Sequence, residues 1–514
     1  ALVALYRPGP MELIPEFCDR KHGKRFEYPD PRVKDILSET YGIMIYQEQV
    51  MQMAQIIGGY SLGGADLLRR AMGKKKAEEM AEHRGLFATG AHNNGLPARK
   101  ADELFDLMEK FAGYGFNKSH AAAYALVAYQ TAYFKAHHPA AFMAANLSAV
   151  MNDTDKVQIL FEDCRDNHLT IQAPDVNQGD YRFSPVDTRT IRYGLGAIKG
   201  TGEGAIQQIV AARAKSGPFK DLFDFCQRVD KRVVNRRVIE SLIRAGAFDD
   251  IELNRAGLLA CVALAIESAE QASRSMNQTN LFEDVQAHRP VQPTGSMPSW
   301  SDLERLKQEK VALGYYFSGH PFRTYEQELR SFAPTRLDQV TPQAQPVMLA
   351  GIIVSQRFQM TRRGRMGVLV LDDSYGRIEL TVFNELFEKH RHWLKEDTLI
   401  VVEGKVTKSQ FNDSETLRIS AEKLYELQTA RSQFARVLKI TCNGQASGDK
   451  LRDILTPFRH GSCPVSIFYS NQQACCEISL GEEWKVHPKD ELIAALGAWV
   501  APENVKLIYA NAAA

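Results

Sequence analysis

Residues 45–76 read IYQEQVMQMAQIIGGYSLGGADLLRRAMGKKK. From Gln47 onward, Val50, Met51, Ala54 and Ile57 recur at helical spacing, and Gly58–Gly59 supply the stop. Ser61 is an N-cap candidate for a second helix, which runs into Arg69, Arg70 and the Lys74, Lys75, Lys76 run. The stretch therefore predicts a helical fold whose last turns carry five cations against one acid, Asp66. On a helix, Arg69, Gly73 and Lys76 share one face, while Arg70 and Lys74 share the next. Guanidiniums bind phosphate bidentately and lysines add positive potential. The plain alternative is a solvated helix end whose cations meet the dipole.

Outward from this stretch, helical periodicity dominates residues 1–180. A third helix is expected over about Ala101–Phe111, and a fourth from His120 until Pro139. The longest apolar run, Ala121–Phe134, carries Gln130 and ends at Lys135; it is too short to span a bilayer and predicts a buried helix. Strand-like pieces follow at Tyr181–Phe183 and Ile191–Tyr193, then short helices with glycine-rich turns over 198–248. A long Ala-rich helix is expected over roughly Arg255–Ser273, then a polar linker with Pro290, Pro293 and Pro298. Residues 346–426 switch to period two at Val347–Val354, Val368–Leu371, Ile378–Phe383 and Leu399–Val402, with turns at Arg363–Gly364 and Tyr375–Gly376. That predicts a small antiparallel barrel or sandwich. Residues 435–510 alternate strand-like pieces (Val437–Ile440, Val465–Tyr469) with a helix near Lys489–Leu496, stopped by Gly497. There is no internal repeat. The fold class expected is multidomain α+β, mainly helical at first, then a β-barrel and a small α/β C-terminal domain.

A chain of 514 residues suggests three or four domains. Hydrophobic residues at 44% and charged residues at 24% exclude wholesale disorder. With 63 Lys and Arg against 62 Asp and Glu the chain is no polycation, so nucleic-acid binding must come from local clusters. Its eight cysteines include no CxxC pair, and the adjacent Cys475–Cys476 lacks zinc-ligand spacing. Reduced, mostly buried thiols in a soluble, cytoplasmic protein are expected, with no membrane partner and no bound metal. The chain opens at Ala1 without a Met or a signal-like segment and reads as part of something longer.

A second cluster is Lys110-Phe111-Ala112-Gly113-Tyr114-Gly115-Phe116-Asn117-Lys118-Ser119-His120. Glycine alternating with aromatics permits close backbone approach and offers faces for base stacking, though Asn117 or Ser119 could equally just cap the next helix.

Both stretches, 45–76 and 111–145 (FAGYGFNKSHAAAYALVAYQTAYFKAHHPAAFMAA), resemble the fingers region of the bacterial replicative DNA polymerase family, the polymerase III alpha subunits. The resemblance continues through residue 514, weakest after about 430. It implies a DNA-directed DNA polymerase, a nucleotidyltransferase adding dNTPs to a primer 3′-end, of which this chain is the portion from the fingers onward. It places the palm, with the aspartates that hold Mg²⁺, upstream of this chain, so the isolated chain is expected to be inactive and to hold no catalytic residue. Pro174-Asp175-Val176-Asn177 and Leu371-Asp372-Asp373-Ser374 are the best substitutes within the chain, and both read as turns.

The resemblance also assigns roles. Arg69, Arg70, Lys74, Lys75, Lys76, Gly115, Asn117, Lys118 and His120 would meet nucleotide or phosphate. Ile198-Lys199-Gly200-Thr201-Gly202-Glu203-Gly204-Ala205-Ile206 resembles a helix-hairpin-helix hairpin, with Lys199, Gly200, Gly202 and Gly204 toward DNA, and Leu242–Phe248 looks like a degenerate second copy. Over 192–244 eleven Lys or Arg stand against five acids. Gln278-Thr279-Asn280-Leu281-Phe282 resembles the internal motif that holds the sliding clamp, the beta subunit. The β-rich part looks like an OB fold, with Arg357, Phe358, Arg362, Arg363 and Arg365 in or near its first hairpin toward single-stranded template. The C-terminal part implies docking on the clamp-loader tau subunit, and the missing N-terminal region a proofreading exonuclease subunit. The expected domains are 1–190 fingers, 191–250 helix-hairpin-helix, 251–345 connector with the clamp motif, 346–428 OB fold and 429–514 C-terminal domain. The alternative is a non-catalytic DNA-binding and clamp-tethering scaffold.

Overall fold

The computed structural model describes all residues except 8, 75–76, 113–114, 277–296, 362–363, 412–413, 444–446, 472–473 and 510–514. These residues form two compact units: Ala1–Asn146 with Cys164–Thr170 and Pro185–Ile191, and the remainder, Leu147–Asp163, Ile171–Ser184 and Arg192–Ala514. Lys75, Lys76, Arg362, Arg363 and all of Gln278–Phe282 lie outside the described residues.

In the first unit, α1 (Gln47–Gly58), α2 (Leu62–Lys74), α3 (Ala77–Asn93) and α4 (Ala98–Ala112) share one core. Its centre holds Met53, Ile57, Leu68, Phe87, Leu104, Phe105 and Met108. The Ser61 hydroxyl accepts the Gly64 amide at 3.1 Å, which starts α2. Helices α1 and α3 cross closely: a Cβ at Gly90 would lie 1.8 Å from the Gly58 carbonyl oxygen. α5 (Lys118–His137) departs from the expectation of burial. Ala121 is its buried residue, and Ala122 to Phe134 are all exposed. Its start packs through Ala121 against Ala4 and Leu5, while the apolar surface from Ala122 to Phe134 stays open although its composition suits a core.

The helical pieces of the second unit include α6 (Glu203–Ser216), α7 (Arg236–Arg244), α8 (Arg255–Met276), α9 (Asp302–Leu313) and α10 (Phe322–Leu329). Then come β1 (Gln343–Thr361), β2 (Gly364–Asp372), β3 (Arg377–Val382), α11 (Asn384–His390), β4 (Leu399–Phe411) and β5 (Ser414–Glu426). These strands close into a barrel in the order β1-β2-β3-β5-β4, with β3 and β5 parallel and the other neighbours antiparallel. Five strands in this order, with a helix between the third and fourth, are the OB arrangement. Period two fills the barrel: Leu349, Ile353, Leu369, Leu371, Leu380, Ile400, Val402 and Ile419 have no exposed surface and share its interior. The strands exceed the apolar runs that announced them, and β5 did not announce itself. Outside β1 and β4, Ala350, Ile352 and Val401 pack beneath Phe322, Leu329 and Phe332.

The chain ends in a four-stranded sheet. β6 (Ala435–Asn443) and β7 (Val465–Ser470) are parallel and joined across α13 (Gly448–Leu455). β8 (Cys475–Ser479) and β9 (Val505–Tyr509) form the edges, in the order β8-β7-β6-β9. α14 (Asp490–Val500) does not stop at Gly497; it runs on to Val500 and ends where Ala501 turns to φ 73° before Pro502. α12 (Leu427–Phe434) leads from barrel to sheet, and its buried Arg431 pairs with Glu328 at 2.6 Å and Asp490 at 2.6 Å. Five cysteines are buried, while Cys18, Cys475 and Cys476 are exposed. Among the described residues no helix is long and apolar enough to cross a membrane.

Candidate nucleotide and nucleic-acid interface

α2 buries Ala65, Leu68, Ala71 and Met72, which turns Arg69 and Arg70 outward. Both guanidiniums converge on Asp66, at 2.9 Å from Arg69 and 2.8 Å from Arg70. Arg69 and then Arg70 hold its carboxyl below the ordinary carboxylate range. Arg69 also donates from Nη1 to Gln47 Oε1 at 3.2 Å.

Gln47 joins the two sequence clusters. Its Nε2 donates to the Gly115 carbonyl at 3.0 Å, and its backbone amide donates to the Phe116 carbonyl at 3.0 Å. Phe116 in turn donates to the Ile45 carbonyl at 3.1 Å. A Cβ at Gly115 would sit 3.1 Å from Gln47 Cγ, so glycine eases this close approach. Glu48 then receives Asn117 Nδ2 at 2.9 Å and the Lys118 amide at 2.9 Å. Asn117 Oδ1 accepts the His120 amide at 2.8 Å, so Asn117 is the cap of α5. Lys118 Nζ lies 2.7 Å from Glu39, and the His120 ring sits between Phe116 and Tyr124, with centroids 5.5 and 4.5 Å away.

Sequence reasoning missed this acceptor side, Glu39, Gln47, Glu48 and the buried Gln49. Gln49 Oε1 accepts the amides of Ile45 and Tyr46 at 2.8 and 3.0 Å, while its Nε2 reaches the Ile36 carbonyl at 3.1 Å and Thr40 Oγ1 at 2.8 Å. The signal was QEQ at 47–49, three consecutive polar residues opening the helix.

In the second unit, Lys199, Gly200 and Gly202 form an exposed hairpin before α6, and exposed Gly204 lies in the first turn of α6. Gly200 has φ +86°, a conformation that costs side chains strain. Thr201 Oγ1 braces the hairpin on the carbonyls of Leu195 at 2.8 Å and Ile198 at 2.6 Å. The Lys199 amide is engaged by the Ala312 carbonyl at 2.8 Å. The amides of Gly200, Gly202 and Gly204 have no acceptor among the described residues. Arg237 Nε and Ser241 Oγ each lie 3.6 Å from a Cβ built at Gly200, so a cation and a hydroxyl flank these amides.

The second glycine turn differs. Gly246 has φ +85°, but the Arg255 guanidinium fills the space beside it, with Nη2 2.3 Å from a Cβ built there. Arg255 is buried between Asp249 at 2.6 Å and Glu309 at 3.1 Å. An anion has no room there.

On the barrel, Arg365 is exposed on β2 next to the hairpin, and Phe358 packs on Phe387 with centroids 5.3 Å apart while staying half-exposed. Arg357 and Arg418 flank Glu379 at 2.7 and 2.5 Å.

None of the candidate metal carboxylates suits a divalent ion. Asp175 closes a turn on the Asn177 amide at 2.7 Å, and burial pushes its carboxyl up. Asp372 receives Arg377 at 2.8 Å and the Ser374 amide at 2.7 Å. Asp373 receives Arg330 at 2.8 Å and the amides of Leu337, Tyr375 and Gly376. Among the described residues no group of three or more His, Cys, Asp or Glu could hold a metal ion.

Comparison with known families matches these parts in the same order. Residues 1–95 match the finger domain of the bacterial DNA polymerase III alpha subunit, and 168–258 a helix-hairpin-helix motif. Residues 347–427 match an OB-fold nucleic acid binding domain, and 450–500 the C-terminal domain of DNA polymerase III subunit alpha. The DNA polymerase III subunit alpha of Neisseria meningitidis serogroup B is 47% identical over 511 residues, covering 99% of this chain and 44% of that protein. Those of Vibrio cholerae and Pseudomonas aeruginosa are 44% and 46% identical, again over 99% of this chain and 45% and 46% of their own lengths. The chain thus spans less than half the length of these relatives. In sequence and in domain order it corresponds to the C-terminal portion of the bacterial DNA polymerase III alpha subunits, from the finger domain onward.

Proposed function

We propose that this chain is the nucleotide- and DNA-handling portion of a bacterial replicative DNA polymerase. The observation that carries the reading is the side chain of Gln47, which ties Arg69 to the carbonyl of Gly115 and so joins the cationic helix end to the glycine–aromatic turn in one place. A triphosphate or template phosphate would exchange for Asp66 on Arg69 and Arg70, with Lys74, Lys75 and Lys76 adding potential. Gly115, Asn117, Lys118 and His120 would shape the wall beside it. The amides of Gly200, Gly202 and Gly204 would hold duplex backbone without reading sequence. The barrel, with Arg362, Arg363 and Arg365, would hold single-stranded template.

Phosphoryl transfer in such enzymes calls for carboxylate-held Mg²⁺, which neutralises the developing charge. The carboxylates tested here are committed to turns and arginines, so Mg²⁺ is assigned to the part of the longer relatives that this chain does not span. The sliding clamp at Gln278, Thr279, Asn280, Leu281 and Phe282, the tau subunit at the C-terminal domain and a proofreading exonuclease upstream complete the set of proposed partners.

The test is kinetic. In a full-length subunit, Arg69→Ala or Arg70→Ala should lower kcat/KM for dNTP by about 10- to 100-fold, the equivalent of ~1.5–3 kcal/mol for a charge-assisted contact that strengthens toward the transition state. Unaltered kcat/KM in both variants would make α2 an ordinary solvated helix end. Leu281→Ala with Phe282→Ala should abolish long clamp-dependent synthesis while leaving short gap filling at its normal rate.

A further inference from the structure

From Ala121 to Tyr129 α5 is apolar all round, and beyond Ala121 this stretch is open. Leu126, Val127, Ala128 and Tyr129 are consecutive, so their side chains point in four directions around the axis, and all four are exposed. Exposure reaches 58% at Leu126, 53% at Val127 and 66% at Tyr129. Tyr124, Tyr133 and Phe134 extend the open surface along the helix. From Ser119 to Phe134 there is no Asp, Glu, Lys or Arg. A helix that is hydrophobic all round belongs in a core, and 20 residues make a rod about 30 Å long.

Three occupants fit poorly. Nucleic acid would find no cation on this stretch to meet its phosphates. A bilayer is ill matched, since no described helix is long and apolar enough to cross one. A second copy packed across a two-fold axis would cover one stripe and leave the opposite side wet. An enclosing cleft covers every side, and the relatives carry more than half their length outside the region this chain matches.

Resting on the reading of the chain as part of a longer polymerase, we propose that α5 is a plug. It inserts into an apolar, uncharged cleft in the portion of the full-length alpha subunit that this chain does not span. Because Asn117 caps α5 and Glu48 clasps its first residue, seating the helix would also fix the Phe116–His120 end of the candidate site.

The experiment is thiol labelling in two proteins, the 514-residue chain and the full-length subunit, each with Cys18→Ser, Cys475→Ser and Cys476→Ser. Single cysteines are placed by Leu126→Cys, Val127→Cys, Ala128→Cys and Tyr129→Cys, and the probe is a maleimide. All four should label rapidly in the chain and roughly 100-fold more slowly in the full-length subunit, since a buried thiol reacts only when its site opens. Hydroxyl-radical footprinting of Tyr124, Tyr129 and Tyr133 in the unsubstituted proteins gives the same reading without cysteines. Equal rates in both proteins overturn the proposal, as does protection of one or two positions, which would mean a flat contact. Slow labelling in the chain itself also overturns it: at all dilutions other parts of this chain cover α5, and at high concentration only a second copy does. Labelling needs no catalysis, so its outcome stands apart from the kinetic test of Arg69 and Arg70.

Discussion

The turns at Gly200 and Gly246 share a sequence texture and a backbone conformation, φ +86° and +85°, yet they do opposite things. At Gly200 the hairpin amides have no acceptor among the described residues, and Arg237 and Ser241 lie beside Gly200 itself. At Gly246 the same kind of space holds the Arg255 guanidinium, itself neutralised by Asp249 and Glu309. Glycine creates room beside the backbone; a residue nine positions away in sequence decides whether an anion can use it. The first turn is the one proposed as an interface. The second is an internal joint that ties α7 to α8 and α9, since Arg255 also reaches the Arg244 carbonyl at 3.3 Å.

The sharpest way to break this contrast is Arg255→Ala. It leaves Glu309, which has no exposed surface, without its cation, although the Phe317 and Ser318 amides remain. Losing one partner of a buried ion pair costs about 3–5 kcal/mol, so the variant should unfold at much lower denaturant while any refolded protein keeps its duplex affinity. Gly246→Ala should follow at about 2–4 kcal/mol, combining left-handed strain with displacement of the guanidinium, again read by denaturant melts. Should either variant weaken duplex binding more than folding, the Gly246 turn would count as an interface after all. Gly200→Ala reverses the pattern. Melts should show a loss of about 1 kcal/mol from strain, while duplex affinity drops roughly tenfold. The salt slope should stay unchanged because no cation has been removed.

The smallest effect concerns His320, which lies 3.4 Å from Asp372. Burial lowers its imidazole below the ordinary value, the nearby Asp372 opposes that, and Arg323 and Arg377 add to it. The unfolded chain therefore takes up a proton near pH ~6.5 that the folded chain resists, so stability should fall as pH drops below that value. His320→Asn should flatten this part of the melt-versus-pH curve and leave the Gly200 and Gly246 phenotypes untouched. An unchanged slope would remove His320 from the acid response of the barrel.

The barrel was legible because Val347–Val354, Val368–Leu371 and Leu399–Val402 alternate against one core. Its last strand was not, since ETLRISAEKLYE spreads charges over its outward positions and keeps its few apolar residues for the interior. α3 escaped for another reason. Its packing rests on Met80, Phe87, Ala91 and the close pass of Gly90 over Gly58, a contact between backbones that hydropathy does not register. In the candidate site the cations were conspicuous in sequence, while the groups that position them come from 39–49 and meet them only through folding. The openness of α5 could not be read either, because composition states what a helix needs and not whether its cover is present.

Gln47 holds Arg69 with its oxygen and Gly115 with its nitrogen, so one planar amide carries tension in both directions. On the proposed reading, a phosphate that drew Arg69 away would free the oxygen end, while the nitrogen end and the Gln47 backbone amide would still hold Gly115 and Phe116. The glycine–aromatic turn would then keep its shape whether the cations face Asp66 or a ligand.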